Sequence, residues 1–305
     1  MIIKTDSFYT YSSMIDAINN FSREYPFLKQ GIIGYSVMNK TIPYIRIGNG
    51  PKNVVYVAAT HANEGITTSV LLKFIDDYSL AYANGKEIFN KNAKELFDEV
   101  SIYLVPMLNP DGIELVYGNF PKSSEYYLNA VGISENFPNI SFPSGWKANI
   151  LGIDLNLQFP AGWEEAKKIK FKQGYTKPAP RDYVGSMPLE VPESISIYDF
   201  IISLQPELLL TYHSQGNVIY YKYLDFDPPN ATKIGRKLAK ISGYSLQETP
   251  TVSGYAGLKD WFIYEFNKPG YTIEVGSGKN PLPITDFDEI YERNIGILVT
   301  AAIEA

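Results

Sequence analysis

The chain predicts an α/β domain with a largely parallel or mixed sheet, on three observations. Two apolar runs, Val54–Ala59 and Leu208–Tyr212, are apolar on both faces, as strands inside a parallel sheet are. Between such runs lie segments whose apolar residues recur at helical spacing. The two kinds of segment alternate over the whole 305 residues, the order that gives interleaved α/β layers.

Taken in order, an amphipathic segment from Ser13 to about Phe21 predicts a first helix that stops before Pro26. Tyr44-Ile45-Arg46-Ile47 alternates as a strand does, and Gly48-Asn49-Gly50-Pro51 is a strong turn signal. The buried strand Val54–Ala59 follows. Ile66, Val70, Leu71, Phe74, Ile75 and Tyr78 mark the next helix. Ser101–Pro106 predicts another strand, with a turn at Asn109-Pro110-Asp111-Gly112. From about Val116 to Leu189 the pattern is irregular and rich in Pro, Gly and aromatics, which predicts long loops of the kind that carry function. Pro192 opens a helix at a position where proline is tolerated, with Ile195, Tyr198, Ile201 and Ile202 on one face. After the strand Leu208–Tyr212, Asn230–Ser242 predicts a helix closed by Gly243, and Tyr271–Val275 a further strand. Phe287, Ile290, Tyr291, Ile295, Leu298 and Val299 mark the last helix. With no internal repeat, low-complexity tract or long linker, residues 1–305 are expected to form a single domain.

Composition narrows the function. A net charge of −6 argues against a nucleic-acid footprint, which would be basic. No basic run would draw the chain to an anionic membrane, and no apolar stretch is long enough to span one. Without cysteine there is no disulfide framework and no thiolate-held zinc. The segment Met1-Ile2-Ile3-Lys4-Thr5-Asp6-Ser7 lacks the apolar core of a signal peptide, so the expected compartment is the cytoplasm.

Only two histidines occur. His61 opens His61-Ala62-Asn63-Glu64 just past one apolar run, and His213 closes the other. Ligands of open α/β sheets bind beyond the carboxyl ends of the strands, so His61, His213 and Glu274 are expected to converge on one edge. In His61-x-x-Glu64 the two side chains face one side of a turn, and both are good zinc donors. Within Tyr271-Thr272-Ile273-Glu274-Val275-Gly276, Ile273 and Val275 share a face and Glu274 points to the other. A carboxylate inside a strand is costly unless it is paired or functional. Its functional reading is a general base that takes a proton from the attacking water and later gives it to the leaving amine. Taken singly, each has a plainer explanation: a surface turn for His61-x-x-Glu64, a satisfied core histidine for His213, and a water-facing edge glutamate for Glu274.

Six segments in order are Thr60–Glu64, Asn109–Gly112, Trp146–Asn149, Gly152–Asn156, His213–Gly216 and Thr272–Gly276. Together they resemble the zinc carboxypeptidase (funnelin) family. The resemblance implies a mixed, mostly parallel eight-stranded sheet between helices. It also implies zinc held by His61, Glu64 and His213, with Glu274 as general base. The family's electrophilic arginine reads Lys147 here, which keeps a cation but not the arginine fork. The Asn-Arg pair that grips a C-terminal carboxylate in digestive members reads Asn156-Leu157, so that cation is gone. The family's mobile tyrosine maps onto Tyr255, between Gly254 and Gly257, with a shorter spacing to Asp260-Trp261 than the carboxypeptidase pattern.

Gln158–Glu164, Arg181–Gly185 and Pro188-Leu189 look like one branch, the bacterial γ-D-glutamyl-L-diamino acid endopeptidases. That likeness implies a peptidoglycan stem peptide as substrate, cut between the D-glutamate γ-carboxyl and the diamino acid. Arg181 is then the candidate for gripping a substrate carboxylate. No LysM cell-wall-binding repeat is seen, so a bare catalytic domain acting on soluble murein peptides is expected. Two other readings stay open here: a zinc exopeptidase with unusual carboxylate recognition through Arg181 or Lys147, and a non-catalytic peptidoglycan-binding relative.

Overall fold

The computed structural model describes residues 2–305. Helix α1 (Tyr11–Glu24) starts two residues before the predicted segment, because Thr10 and Ser13 cap it reciprocally. Strands β1 (Lys29–Tyr35), β2 (Thr41–Ile47) and β3 (Lys52–Val57) follow, then helix α2 (Ile66–Ala83). A short hairpin, β4 (Glu87–Ile88) and β5 (Lys91–Asn92), leads into α3 (Ala93–Glu99), β6 (Val100–Val105) and α4 (Pro110–Val116). Helices α5 (Glu125–Glu135), α6 (Trp163–Lys172) and α7 (Pro192–Leu204) precede β7 (Leu208–His213) and β8 (Val218–Tyr220). The chain ends with α8 (Ala231–Ser242), β9 (Ser245–Gln247), α9 (Leu258–Phe266), β10 (Gly270–Glu274) and α10 (Phe287–Glu304).

Eight strands form one sheet in the order β1-β2-β6-β3-β7-β10-β8-β9. The four central strands, β6, β3, β7 and β10, run parallel, and antiparallel pairings join β2 to β6 and β8 to β10. The expected mixed eight-stranded sheet is therefore present. Alternation along the central strands feeds two cores. Val54, Tyr56, Leu208, Leu210 and Tyr212 pack under α1, α2, α8 and α10. Val55, Val57 and Leu209 pack on the other face against α7 and α9.

The structure corrects several local expectations. The first buried strand ends at Val57, and the chain leaves the sheet at Ala59, whose φ is +48°. Asn109-Pro110-Asp111-Gly112 opens α4 instead of making a free turn. Asn109 is its N-cap, accepting from the Gly112 N–H at 3.0 Å, and Pro110 takes the first helical position. The irregular stretch from Val116 to Leu189 holds α5 and α6. Helix α5 buries only Ala130, so it has almost no apolar stripe to read. In α7 the buried face is Ser194, Ile197 and Ile201, while Ile195 is exposed. Helix α8 ends at Gly243 in the left-handed region (φ +72°), as expected.

Candidate metal centre and active-site cleft

The loop after β3 is fastened before it reaches the site. The Thr67 hydroxyl donates to the Glu64 carbonyl at 2.7 Å and accepts from the Ala59 N–H at 2.9 Å. Asn109 Nδ2 donates to the Thr60 carbonyl at 3.2 Å, and the Ala62 N–H to the Lys147 carbonyl at 3.0 Å. This presents His61 and Glu64 just before α2. His213 is the last residue of β7 and Glu274 the last of β10. The sheet edge therefore gathers residues that lie up to 213 positions apart in sequence.

His61, Glu64 and His213 are all buried, and their donor atoms face one point. His213 Nδ1 lies 2.9 Å from His61 Nδ1 and 3.0 Å from Glu64 Oε2, and His61 Nδ1 lies 3.1 Å from Glu64 Oε1. Donors sharing one tetrahedral zinc at bonds of about 2.0–2.1 Å stand roughly 3.3 Å apart, so this spacing fits a single small cation. The donor set, two imidazoles and one carboxylate with no cysteine, also fits zinc. His213 Nε2 is buried with no hydrogen-bond partner among the described residues.

A residue that sequence reasoning quoted but gave no role completes the centre. Asp154, buried, stands 3.1 Å from His61 Nε2. An Nε2–H donated to that carboxylate leaves Nδ1 as the lone-pair donor toward the metal point. Asp154 in turn accepts from the Asn156 and Asp182 N–H groups, each at 3.1 Å. Burial would push both Asp154 and Glu64 up, but the neighbouring histidines outweigh it and hold both carboxyls well below the ordinary range. For His61 burial opposes the charge, yet Glu64 and Asp154 leave its pKa raised, whereas burial lowers that of His213. Lys147 follows the His61 pattern: burial opposes its charge, and Glu64 with Asp154 keeps the ammonium favoured.

Three adjoining cavities form the cleft around this centre, and Lys147 lines all of them. Glu274 lines two. Burial and the nearby Glu64 charge push its carboxyl up to about 8, against the pull of Lys147 and His61. Asn156 lines the cleft with its Oδ1 already accepting from the Leu258 N–H at 3.1 Å, which leaves its amide N–H groups for a ligand. Arg181 stands where two cavities meet, and its Nε donates to Asp182 Oδ2 at 2.6 Å. Leu157 lines one cavity and adds no charge to it.

Tyr255, the residue that matches the family's mobile tyrosine, lies outside the cleft lining in this structure. Tyr255 packs with Leu157, Trp163 and Val184, and edge-on to the Tyr223 ring. Gly162 sits under it, where a Cβ would come within 2.6 Å of the ring. Ser253 and Gly257 from the same loop line the cleft instead. The tyrosine beside Glu274 is Tyr220, whose pKa burial and the Glu274 charge raise. Its only sequence signal is the end of a three-residue strand.

Comparison with known proteins places this arrangement. The family model described as zinc carboxypeptidase matches residues 14–296. The chain is 41% identical over 291 residues to γ-D-glutamyl-L-diamino acid endopeptidase 1 of Lysinibacillus sphaericus, covering 95% of this chain and 71% of that protein. Its fold matches carboxypeptidase A from Helicoverpa armigera (TM-score 0.73, 20% identity, 99% of this chain and 75% of that one). It also matches murein-tripeptide amidase from Escherichia coli O157 (TM-score 0.56, 18% identity, 89% and 91%). No helix among the described residues is long and apolar enough to cross a membrane. A donor triad and carboxylate on the edge of a mixed sheet, within a match that spans nearly every residue, make this a metallopeptidase with zinc as its metal: the chain belongs to the zinc carboxypeptidase family.

Proposed function

We propose that the protein hydrolyses the amide between the γ-carboxyl of D-glutamate and a diamino acid in peptidoglycan-derived peptides. The observation that carries this reading is the likeness to a γ-D-glutamyl-L-diamino acid endopeptidase over nearly the whole chain. The cleft supports it, since Arg181 and Asn156 offer donors to a substrate carboxylate while Leu157 offers none.

Held by His61, Glu64 and His213, zinc supplies a Lewis acid that polarises the scissile carbonyl and eases deprotonation of water. Asp154 fixes the tautomer and ring angle of His61. Glu274 accepts the proton of the attacking water and passes it to the departing amine. A carboxylate disfavoured by burial and by Glu64 takes up that proton readily. Lys147 holds its ammonium toward the oxygen that gains charge as the carbonyl is attacked. Arg181, oriented through Nε by Asp182, presents its terminal amines to the free α-carboxylate beside the scissile bond.

Digestion of purified muropeptides by the zinc-loaded protein, read by mass spectrometry, tests this. The expected products are a peptide ending in D-glutamate and one beginning with the diamino acid. Release of single C-terminal residues from ordinary N-blocked peptides, with stem peptides left intact, would overturn it in favour of an exopeptidase.

A further inference from the structure

The loop after β10 folds back along the loop that follows His213. The Gly276 carbonyl accepts from the Gly216 N–H at 2.8 Å and from the Asn217 N–H at 3.1 Å. Gln215 Oε1 accepts from the Gly278 N–H at 3.3 Å. These bonds zip the two loops together as far as Asn280, a half-buried residue with no part in the steps of hydrolysis.

The Asn280 side chain is held at both ends by one residue. Its Oδ1 accepts from the Ser214 hydroxyl at 2.8 Å, and its Nδ2 donates to the Ser214 carbonyl at 2.7 Å. The same Nδ2 stands 3.5 Å from Glu64 Oε1. A carbonyl and a carboxylate only accept, so the amide nitrogen belongs on this side and the hydroxyl donates to the oxygen. With one N–H spent on Ser214, the other is left for Glu64.

Glu64 is thereby gripped at both oxygens from the Ser214 side. Its Oε2 accepts from the Ser214 N–H at 3.2 Å, while Asn280 faces its Oε1. The other group near Oε1 is His61 Nδ1, at 3.1 Å, which is itself a donor to the metal and so no fixed post for the carboxylate. A loop fastening would need only the two bonds to Ser214. The reach to Glu64 adds a hydrogen-bond partner to a metal-binding carboxylate, the arrangement that orients a ligand and sets metal affinity. Glu64 is buried, so water does not replace a donor lost there.

We propose that Asn280 is a positioning residue of the metal centre: clasped by Ser214, its amide holds the Glu64 carboxylate in the orientation that binds zinc. This rests on His61, Glu64 and His213 as the zinc ligands, and is independent of which amide is cut.

The test measures zinc dissociation constants, by competition with a chelating dye, for the parent protein and three variants. The thermal midpoint of each metal-free protein is measured alongside. Asn280→Ala should weaken zinc about tenfold, the lower end of the usual effect of losing such a partner because the contact is long, with no matching fall in the metal-free midpoint. Ser214→Ala loosens the clasp and leaves the Asn280 amide in place, so its loss should be smaller. Gln215→Ala frees the same loop at Gly278 without touching Glu64, and should bind zinc as the parent does. Asn280→Ser is the second variant at this position, too short to serve both Ser214 and Glu64, and should lose affinity as the alanine does. Unchanged zinc affinity in either folded Asn280 variant overturns the proposal. So does an equal loss in Gln215→Ala, which would trace the effect to the loop and not to the amide. A parent protein that takes up no zinc would instead remove the metal centre on which the proposal rests.

Discussion

Glu274 and His213 are direct partners across the parallel pair β10–β7, each the last residue of its strand. Partner residues of parallel strands project to the same face. A metal-facing imidazole and the candidate base are therefore set side by side by sheet register alone, with no loop to adjust between them. Glu274→Gln preserves shape and removes only the capacity to take a proton. It should keep zinc at one equivalent and lower kcat by about 10²–10⁴-fold, the usual worth of a positioned general base. Zinc content by atomic absorption together with kcat checks this. Near-normal turnover by the metal-loaded variant would exclude Glu274 as the base.

Asp154 acts on the metal through His61. Asp154→Ala should weaken zinc binding by about 10–100-fold, the usual effect of losing such a carboxylate partner, while His61→Ala should abolish stoichiometric zinc. Competition with a chelating dye measures both. Chelation should silence the wild-type protein and added zinc restore it. If Asp154→Ala binds zinc as tightly as the parent, the carboxylate is not orienting the ring.

Why His61, Glu64, His213 and Glu274 were legible in the sequence, and Asp154 was not, has a physical basis. Strand ends announce themselves by apolar runs, and a rare polar residue just past one stands out. Asp154 lies 93 residues from the ring it touches, in a segment with no strand or helix period, so only folding reveals the contact. The direction of Tyr255 was unreadable for a related reason. A loop motif names a tyrosine but not its direction, and here Gly162 leaves a gap into which the ring packs. The central strands were readable because both faces are apolar. The edge strands β1 and β9 bury little and leave almost no signal, and β8 is only three residues long. At Asn109-Pro110 the same dipeptide suits a turn or a helix start, and only the helix beyond it decides.

Arg181 lines the cleft while Asp182 holds its Nε, which leaves its terminal amines without a partner in that contact. Losing a charge-assisted hydrogen bond costs about 1.5–3 kcal/mol, so Arg181→Ala should raise KM for γ-D-glutamyl peptides by about 10–100-fold and change kcat little. Arg181→Lys should recover part of the loss, since it keeps the charge and loses the fork. Steady-state kinetics on one tripeptide suffice. An unchanged KM in Arg181→Ala would place the carboxylate elsewhere in the cleft.

Glu193, fully buried in the first turn of α7, gives the fold a pH dependence of its own. It accepts from the Val37 N–H at 3.0 Å and faces Asn149 Nδ2 at 3.5 Å, joining the β1–β2 connection to the loop that carries Lys147. Burial, with a contribution from the nearby Asp111 charge, pushes its carboxyl from the ordinary 4.5 up to about 7. Between these two values the folded protein holds a proton that the unfolded chain has released. Stability from this group is therefore undiminished below the unfolded value and falls as pH rises through the window, levelling above the folded value. At about 1.4 kcal/mol per pKa unit the loss is about 3 kcal/mol. Glu193→Gln keeps the acceptor for Val37 and cannot ionise, so it should be the more stable protein above neutrality, by up to that amount. The advantage should vanish on acidification below the ordinary carboxylate range. Urea denaturation of both proteins across this range measures the difference directly, and curves that stay parallel with pH would show that Glu193 is not the group responsible.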